Sequence, residues 1–242
     1  MRRVQKRLDE LLVDRGLVEN LVLAKALILE GRVFEENNRI DKPGSMVSVG
    51  IKVHLKTRDR YVGRGGIKLE HVLQGISLGY RNVALDIGAS TGGFTDCLLQ
   101  HGFQRVYAVD VARGQLAHRL SKDARVIAME RVNAKNPFWL PESADLITID
   151  VSFISVRKIL TRIVGHLREG GILLVLIKPQ FEAQKDQVER GGIIRDPEVH
   201  ASILGDFCIW AIQNQWRLKG VVKSPIKGHA GNAEFFVVLK PA

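Results

Sequence analysis

Only two cysteines, Cys97 and Cys208, occur in 242 residues. Two thiols cannot make a disulfide framework or complete a structural zinc site, so both are expected as reduced thiols packed on helices. No apolar run approaches the roughly 18 residues that cross a bilayer. Residues Met1 to Arg7 lead into amphipathic sequence rather than an apolar leader core, so neither a membrane span nor secretion is expected, and a cytoplasmic location is. The seven histidines show no metal-ligand spacing, so no metal is expected. Acidic residues are also in deficit, 26 against 36 lysines and arginines, giving a net charge of +10. Such an excess suits a polyanionic partner, nucleic acid being the commonest, and says nothing about fold.

The charge is denser at the N-terminal end. Residues 1–68 hold 15 basic and 9 acidic side chains, and the rest hold 21 and 17. In that first part Leu8, Leu11 and Leu12 share one helical face, and Leu23, Ala24, Leu27 and Ile28 make a second short helix ending at Gly31. Asn37-Asn38 and Pro43-Gly44 mark turns, and Val47, Val49, Ile51, Val53 and Leu55 alternate as one half-buried strand. A core this small belongs to a module attached to something larger. The features Arg7-Leu8-Asp9, Leu12, Gly16, Gly31-Arg32-Val33 and Lys42-Pro43 resemble the RNA-binding fold first described in ribosomal small-subunit protein four. That resemblance implies an α+β RNA-binding domain over residues 1–58. Asn20 and Leu21 stand where the family carries Ser-Arg on its RNA face. The glycine-rich, basic stretch 59–67 reads as a linker.

From residue 82 onward strand-like apolar runs alternate with helical patterns, as a parallel α/β sheet requires. Strands are expected at 83–87, 105–109, 125–129, 145–149 and 172–177, with helices at 155–167 and 197–214. Two last strands, 218–223 and 234–239, are separated only by a loop and predict an antiparallel hairpin. Seven such strands over residues 68–242 have the shape of a Rossmann-like class I methyltransferase fold. The polar stretch 182–196 is expected as a mobile loop over the site.

The first of these strands runs into Asp86-Ile87-Gly88-Ala89-Ser90-Thr91-Gly92-Gly93-Phe94-Thr95. A glycine turn there lets a ligand approach backbone that a β-carbon would block. Asp110 ends the second strand 22 residues after Gly88, placed to accept both hydroxyls of an adenosine ribose. Three readings stay open at this point. A dinucleotide site would prefer glycine at the position of Ser90. A hydrolase elbow, Gly88-x-Ser90-x-Gly92, would make Ser90 a nucleophile. S-adenosylmethionine would use the turn, with Asp86 holding its polar end.

Outside the loop, Asp150 ends the fourth strand and Lys178 directly follows six apolar residues, Ile172 to Ile177. Both are therefore expected at the carboxyl edge of the sheet, where such sheets bind ligands. Lys68 leads into the domain and Glu234 starts the last strand. Singly, each reads equally well as a structural ion pair or a surface charge. Together, in the order Lys68, Asp150, Lys178, Glu234, they resemble the FtsJ-like ribose methyltransferases over residues 64–240. The stretches Gly63-Arg64-Gly65-Gly66-Ile67-Lys68-Leu69 and Lys178-Pro179-Gln180-Phe181-Glu182 resemble the TlyA family, also called hemolysin A.

The resemblance implies an S-adenosylmethionine-dependent ribose 2′-O-methyltransferase acting on cytidine in ribosomal RNA. Its implied partners are ribosomal RNA or ribosomal subunits, with no membrane and no obligate protein partner. A ribose hydroxyl needs a base in line with the methyl donor, and Lys178 can serve if it is neutral when substrate is bound, a shift that Lys68 and an apolar setting would favour and Asp150 would oppose. Asp150 would orient Lys178 beside the sulfonium, Lys68 would stabilise alkoxide, and Glu234 would position a lysine or the ribose. The expected cofactor set is Asp86, Gly88, Ser90, Gly92, Gly93, Phe94, Thr95, Asp110, Val111, Asn133 and Asp150, with Asn133 beside the adenine. Cys97 follows Asp96 and Cys208 follows Phe207, against a carbon-5 nucleophile after proline. No two prolines are adjacent, against an exocyclic-amine methylase. The competing class is an RNA-binding protein that keeps this fold without catalysis. A pore former is disfavoured, because no inserting helix or barrel strand set is visible.

Overall fold

The computed structural model describes residues 4–56, 59–184, 187–189, 191–228 and 231–242, so His229 and parts of the 182–196 stretch lie outside the described residues. The chain divides into two compact units, Met1–Asp59 and Arg60–Ala242.

The first unit runs β1 (Gln5–Arg7), α1 (Leu8–Asp14), α2 (Leu21–Leu29), β2 (Val33–Glu35), β3 (Asn38–Ile40), β4 (Met46–Ser48) and β5 (Val53–Leu55). Its core is Leu8, Leu12, Val18, Ala24, Leu27, Ile28 and Val33. Residues 47–55 are two strands rather than the expected single one. β4 pairs with β1 and β5 pairs with β2 in a different sheet. The break is a turn at Val49–Lys52, where the Ile51 amide donates to the Ser48 carbonyl and the Arg15 guanidinium caps the carbonyls of Val49 and Ile51. Asn20 caps α2, its side chain accepting from the Leu23 amide at 2.9 Å, and Leu21 and Val22 are exposed.

The second unit runs α3 (Gly65–Gln74), β6 (Val83–Ile87), α4 (Gly93–Gln100), β7 (Arg105–Asp110), α5 (His118–Ser121), β8 (Val126–Glu130), β9 (Ala144–Ile149), α6 (Arg157–Ile163), β10 (Leu167–Ile177), α7 (Pro179–Glu182), α8 (Pro197–Gln213), β11 (Trp216–Lys223) and β12 (Phe235–Pro241). Seven strands form one sheet in the order β11-β12-β10-β9-β6-β7-β8. The last five are parallel, and β12 is antiparallel to both β10 and β11. Interior parallel strands are covered on both faces, which is why β6, β9 and β10 read as near-continuous apolar runs. One face packs against α3 and α4 through Leu69, Leu98, Ala84, Leu146, Leu174 and Phe236. The other packs against α6 and α8 through Leu85, Ile147, Leu160, Val175, Phe207 and Val237.

The stretch 59–67, expected as a linker, is instead packed from Arg60 onward. Tyr61 is only 3% exposed, and a Cβ on Gly66 would strike its ring. A Cβ on Gly65 would come within 3.0 Å of the Phe94 ring, and one on Gly63 within 2.9 Å of Thr91 Oγ1. These glycines serve close packing against the start of α4, so the composition that suggested flexibility has a steric cause. No helix of the described residues is long and apolar enough to cross a membrane.

Candidate active site

Sheet register builds the site. Leu146 and Thr148 precede Asp150 on one face of β9, Leu174 and Leu176 precede Lys178 on β10, and Phe236 and Val238 follow Glu234 on β12. A period of two carries all three charged residues onto the face covered by α3, the helix that carries Lys68. Ile177 pairs with Phe235, so the next antiparallel pair outward sets Lys178 opposite Glu234.

The four side chains form two ion pairs. Lys68 Nζ donates to Glu234 Oε2 at 2.6 Å, with the two side chains 11% and 3% exposed. Lys178 Nζ lies 2.7 Å from Asp150 Oδ1 and donates to Ser152 Oγ at 2.8 Å. The ion-pair approach to Asp150 is not aligned as a hydrogen bond, so Asp150 Oδ1 is buried without a hydrogen-bond donor among the described residues. Two lysines and two carboxylates balance in charge, as burial requires. Gly228 makes room for the arrangement, since a Cβ there would strike the Glu234 carboxylate.

Beside Asp150 a cavity of about 520 Å³ opens at the carboxyl ends of β6, β7 and β9. Of the expected cofactor set, Gly88, Ser90, Asp110, Val111, Asn133 and Asp150 line it. Gly88 has φ +84°, and a Cβ there would strike the Asp150 carbonyl oxygen, so glycine is what lets β6 and β9 end side by side. Asp110 accepts from the Ser90 amide through Oδ2 and from the Ala112 amide through Oδ1, both at 2.8 Å. Each oxygen retains a second lone pair for a ligand hydroxyl.

The other five, Asp86, Gly92, Gly93, Phe94 and Thr95, do not line this cavity. Asp86 is fully buried and accepts from Thr95 Oγ1 at 2.7 Å and Thr148 Oγ1 at 2.9 Å. Burial raises its carboxyl to about 6 against the pull of those two hydroxyls. It ties β6 to α4 and β9 rather than reaching the cavity. Thr95 is spent on that bond, and Phe94 is buried with its ring stacked on Phe236. Gly92 and Gly93 give way to Leu116 and Leu120 and to the backbone of Gly63–Gly66.

Sequence reasoning missed the segment after Asp150. Ser152 holds Lys178, and Phe153 sits at φ +64° with 91% of its surface exposed, 5.1 Å from the Phe181 ring. A left-handed, exposed aromatic at a cavity rim is the kind of strained placement that clusters at functional sites. Glu182 anchors this segment by accepting from Ser155 Oγ at 2.7 Å and the Val156 amide at 2.8 Å. Its carboxyl is raised by burial, and only the Lys178-to-Glu182 motif hinted at its place. Asn232, buried, accepts from the Ile194 amide and donates to the Gly192 carbonyl, both at 2.8 Å. It ties the described part of the 182–196 stretch to the segment that carries Glu234.

Residues 61–241 match the FtsJ-like methyltransferase family. The chain is 44% identical to a candidate rRNA methyltransferase, YqxC, of Bacillus subtilis, over 97% of this chain and 85% of that one. It is 37% identical to the 16S/23S rRNA (cytidine-2′-O)-methyltransferase TlyA of Mycobacterium tuberculosis, over 97% and 89%. The solved structure of a candidate hemolysin from Streptococcus thermophilus superposes with TM-score 0.73 at 39% identity, covering 99% of this chain and 90% of that one. The chain belongs to the TlyA (hemolysin A) family and carries an FtsJ-like methyltransferase domain.

Proposed function

We propose that this protein transfers a methyl group from S-adenosylmethionine to a ribose 2′-hydroxyl of ribosomal RNA, on a cytidine, with Lys178 as the base. The observation that carries the reading is the pair of ion pairs, Lys68–Glu234 and Lys178–Asp150, at the ends of neighbouring elements, the second of them reaching the cavity through Asp150.

The cavity fits the cofactor in three respects. Its volume is in the range of small-molecule sites. Asp110 keeps acceptor capacity for ribose hydroxyls, and Asn133 offers an amide at the far rim. Asp150 brings a carboxylate to the cavity wall, where the positive charge of a sulfonium is favoured. Bound there, S-adenosylmethionine supplies an electrophilic methyl group.

The chain's own residues do the rest. For the step, Lys178 must first give up its ammonium proton to solvent; the neutral amine then takes the 2′-hydroxyl proton, breaking O–H as N–H forms, while Asp150 and Ser152 fix its direction. Lys68, held by Glu234, is the cation available to the developing alkoxide. The exposed Phe153 ring offers a face on which a nucleobase can stack. The basic first unit docks the RNA. Its Asn20 keeps the helix cap, while Leu21 brings no charge, so phosphate contacts there fall to the remaining lysines and arginines.

The test is incubation with labelled S-adenosylmethionine and unmodified ribosomal subunits. Label should enter rRNA with the native chain. Lys178→Ala and Lys178→Arg should each reduce transfer at least about 100-fold, because arginine cannot deprotonate. No transfer to either subunit would overturn the function, and near-native rates for the arginine variant would remove Lys178 as base.

A further inference from the structure

A second cavity, of about 720 Å³, lies at the other end of the same sheet edge. Arg195, the His200 ring, Lys223 and Lys227 line it, with Ile194 and Phe235 among its apolar walls. No acidic side chain lines it among the described residues. Arg195 is paired with Glu189, whereas Lys223 and Lys227 make no ion pair among the described residues. His200 packs its ring on Phe235 at 5.6 Å and reaches the Ile194 carbonyl at 3.1 Å, so the floor is a packed surface.

Its position gives this basic hollow a meaning. Along the edge the first cavity sits at β9, β6 and β7, Asp150 and Lys178 end β9 and β10, and the second cavity sits at β12 and β11. Ala233 and Phe235 line the second cavity, while Glu234 between them pairs with Lys68. One short segment therefore has the tetrad on one side and the basic hollow on the other. Displacement at a methyl carbon requires the acceptor to come in opposite the leaving sulfur. With the donor in the first cavity, the acceptor strand arrives from the β12 side.

Resting on the methyltransferase reading above, we propose that the second cavity receives the phosphate backbone of the RNA nucleotide adjoining the one whose ribose enters the tetrad. Lys223 and Lys227 supply the charge, and the apolar walls accept the sugar or base of that neighbour. Backbone contacts of this kind set register rather than sequence.

Three measurements on the full chain test it. With an unmodified rRNA fragment bound and no methyl donor present, acylation of Lys223 and Lys227 in the native protein should slow at least about 5-fold, as phosphate contact requires. The Lys223→Gln/Lys227→Gln chain should show a slope of log Kd against log salt shallower by about 1 to 2, one phosphate contact contributing about 0.7 to 0.9. Its RNA KM should rise while S-adenosylmethionine affinity and turnover at saturating RNA stay native. Unprotected lysines, or an unchanged slope, would overturn the proposal. These binding readouts stand apart from methyl transfer, so a native chain that transfers no methyl group would refute the functional reading by a separate result.

Discussion

Breaking the Lys68–Glu234 pair should cost far more than its exposed counterparts would. The two side chains are 11% and 3% exposed and meet at 2.6 Å, so neutralising one leaves the other charge in a poorly solvated place. Removing one partner of such a pair costs about 3 to 5 kcal/mol, and replacing both often costs little. Glu234→Gln should therefore lower the stability of the second unit by that amount. With a urea slope of about 2 kcal/mol/M, the midpoint should fall by roughly 1.5 to 2.5 M. The assay isolates the unit, because all three tryptophans, Trp139, Trp210 and Trp216, lie within Arg60–Ala242 and report its unfolding by fluorescence. Lys68→Met/Glu234→Gln should recover more than half of the loss in stability while methyl transfer falls, because the Lys68 cation is gone. A native midpoint for Glu234→Gln, or a double variant no better than the single, would refute the claim that a buried pair holds the site.

Asp86 gives a pH signature. Its folded-state value of about 6 lies above the ordinary 3.8, so the native state binds more protons between those values and stability falls as pH rises through that window. Asp86→Asn should flatten the slope between about pH 4 and 6 and be more stable than native at pH 8, by on the order of 3 kcal/mol. Equal pH slopes in urea melts would refute it. Gly228→Ala should push the Glu234 carboxylate aside, leaving the fold intact by circular dichroism and lowering turnover at least about 10-fold, since small misplacements are costly at a reacting centre. Native turnover would show that the approach is not tight. Glu182→Ala should strand Ser155 Oγ and the Val156 amide, with a loss of about 1 to 3 kcal/mol in the same fluorescence melt.

The sheet was legible because buried parallel strands leave unbroken apolar runs, and β6 begins and ends where its run does. Asp150 and Lys178 were legible for the same reason, since a charge that ends such a run must emerge at the sheet edge. What could not be read depends on partners far away in sequence. The sequence shows Asp86 before the glycine turn but not its hydrogen bonds to Thr95 and to Thr148, the latter 62 residues on. Gly63, Gly65 and Gly66 look like a flexible tether until Tyr61, Thr91 and Phe94 fill the space their missing side chains leave. The run from Val47 to Leu55 alternates correctly, yet Val49–Lys52 turn and send its halves to different sheets. Ser152 and Phe153 follow the strand, where period arguments end, and their placement is set by Lys178 and Phe181 instead.

The most direct test of the account is the position of the transferred methyl group. Labelled rRNA from the native enzyme should be digested and its nucleosides separated, with a parallel sample treated with alkali. The account predicts label on a ribose 2′-oxygen, recovered in an alkali-resistant dinucleotide because the blocked hydroxyl cannot attack its own phosphodiester. Label on a base carbon or nitrogen, in alkali-labile material, would contradict it.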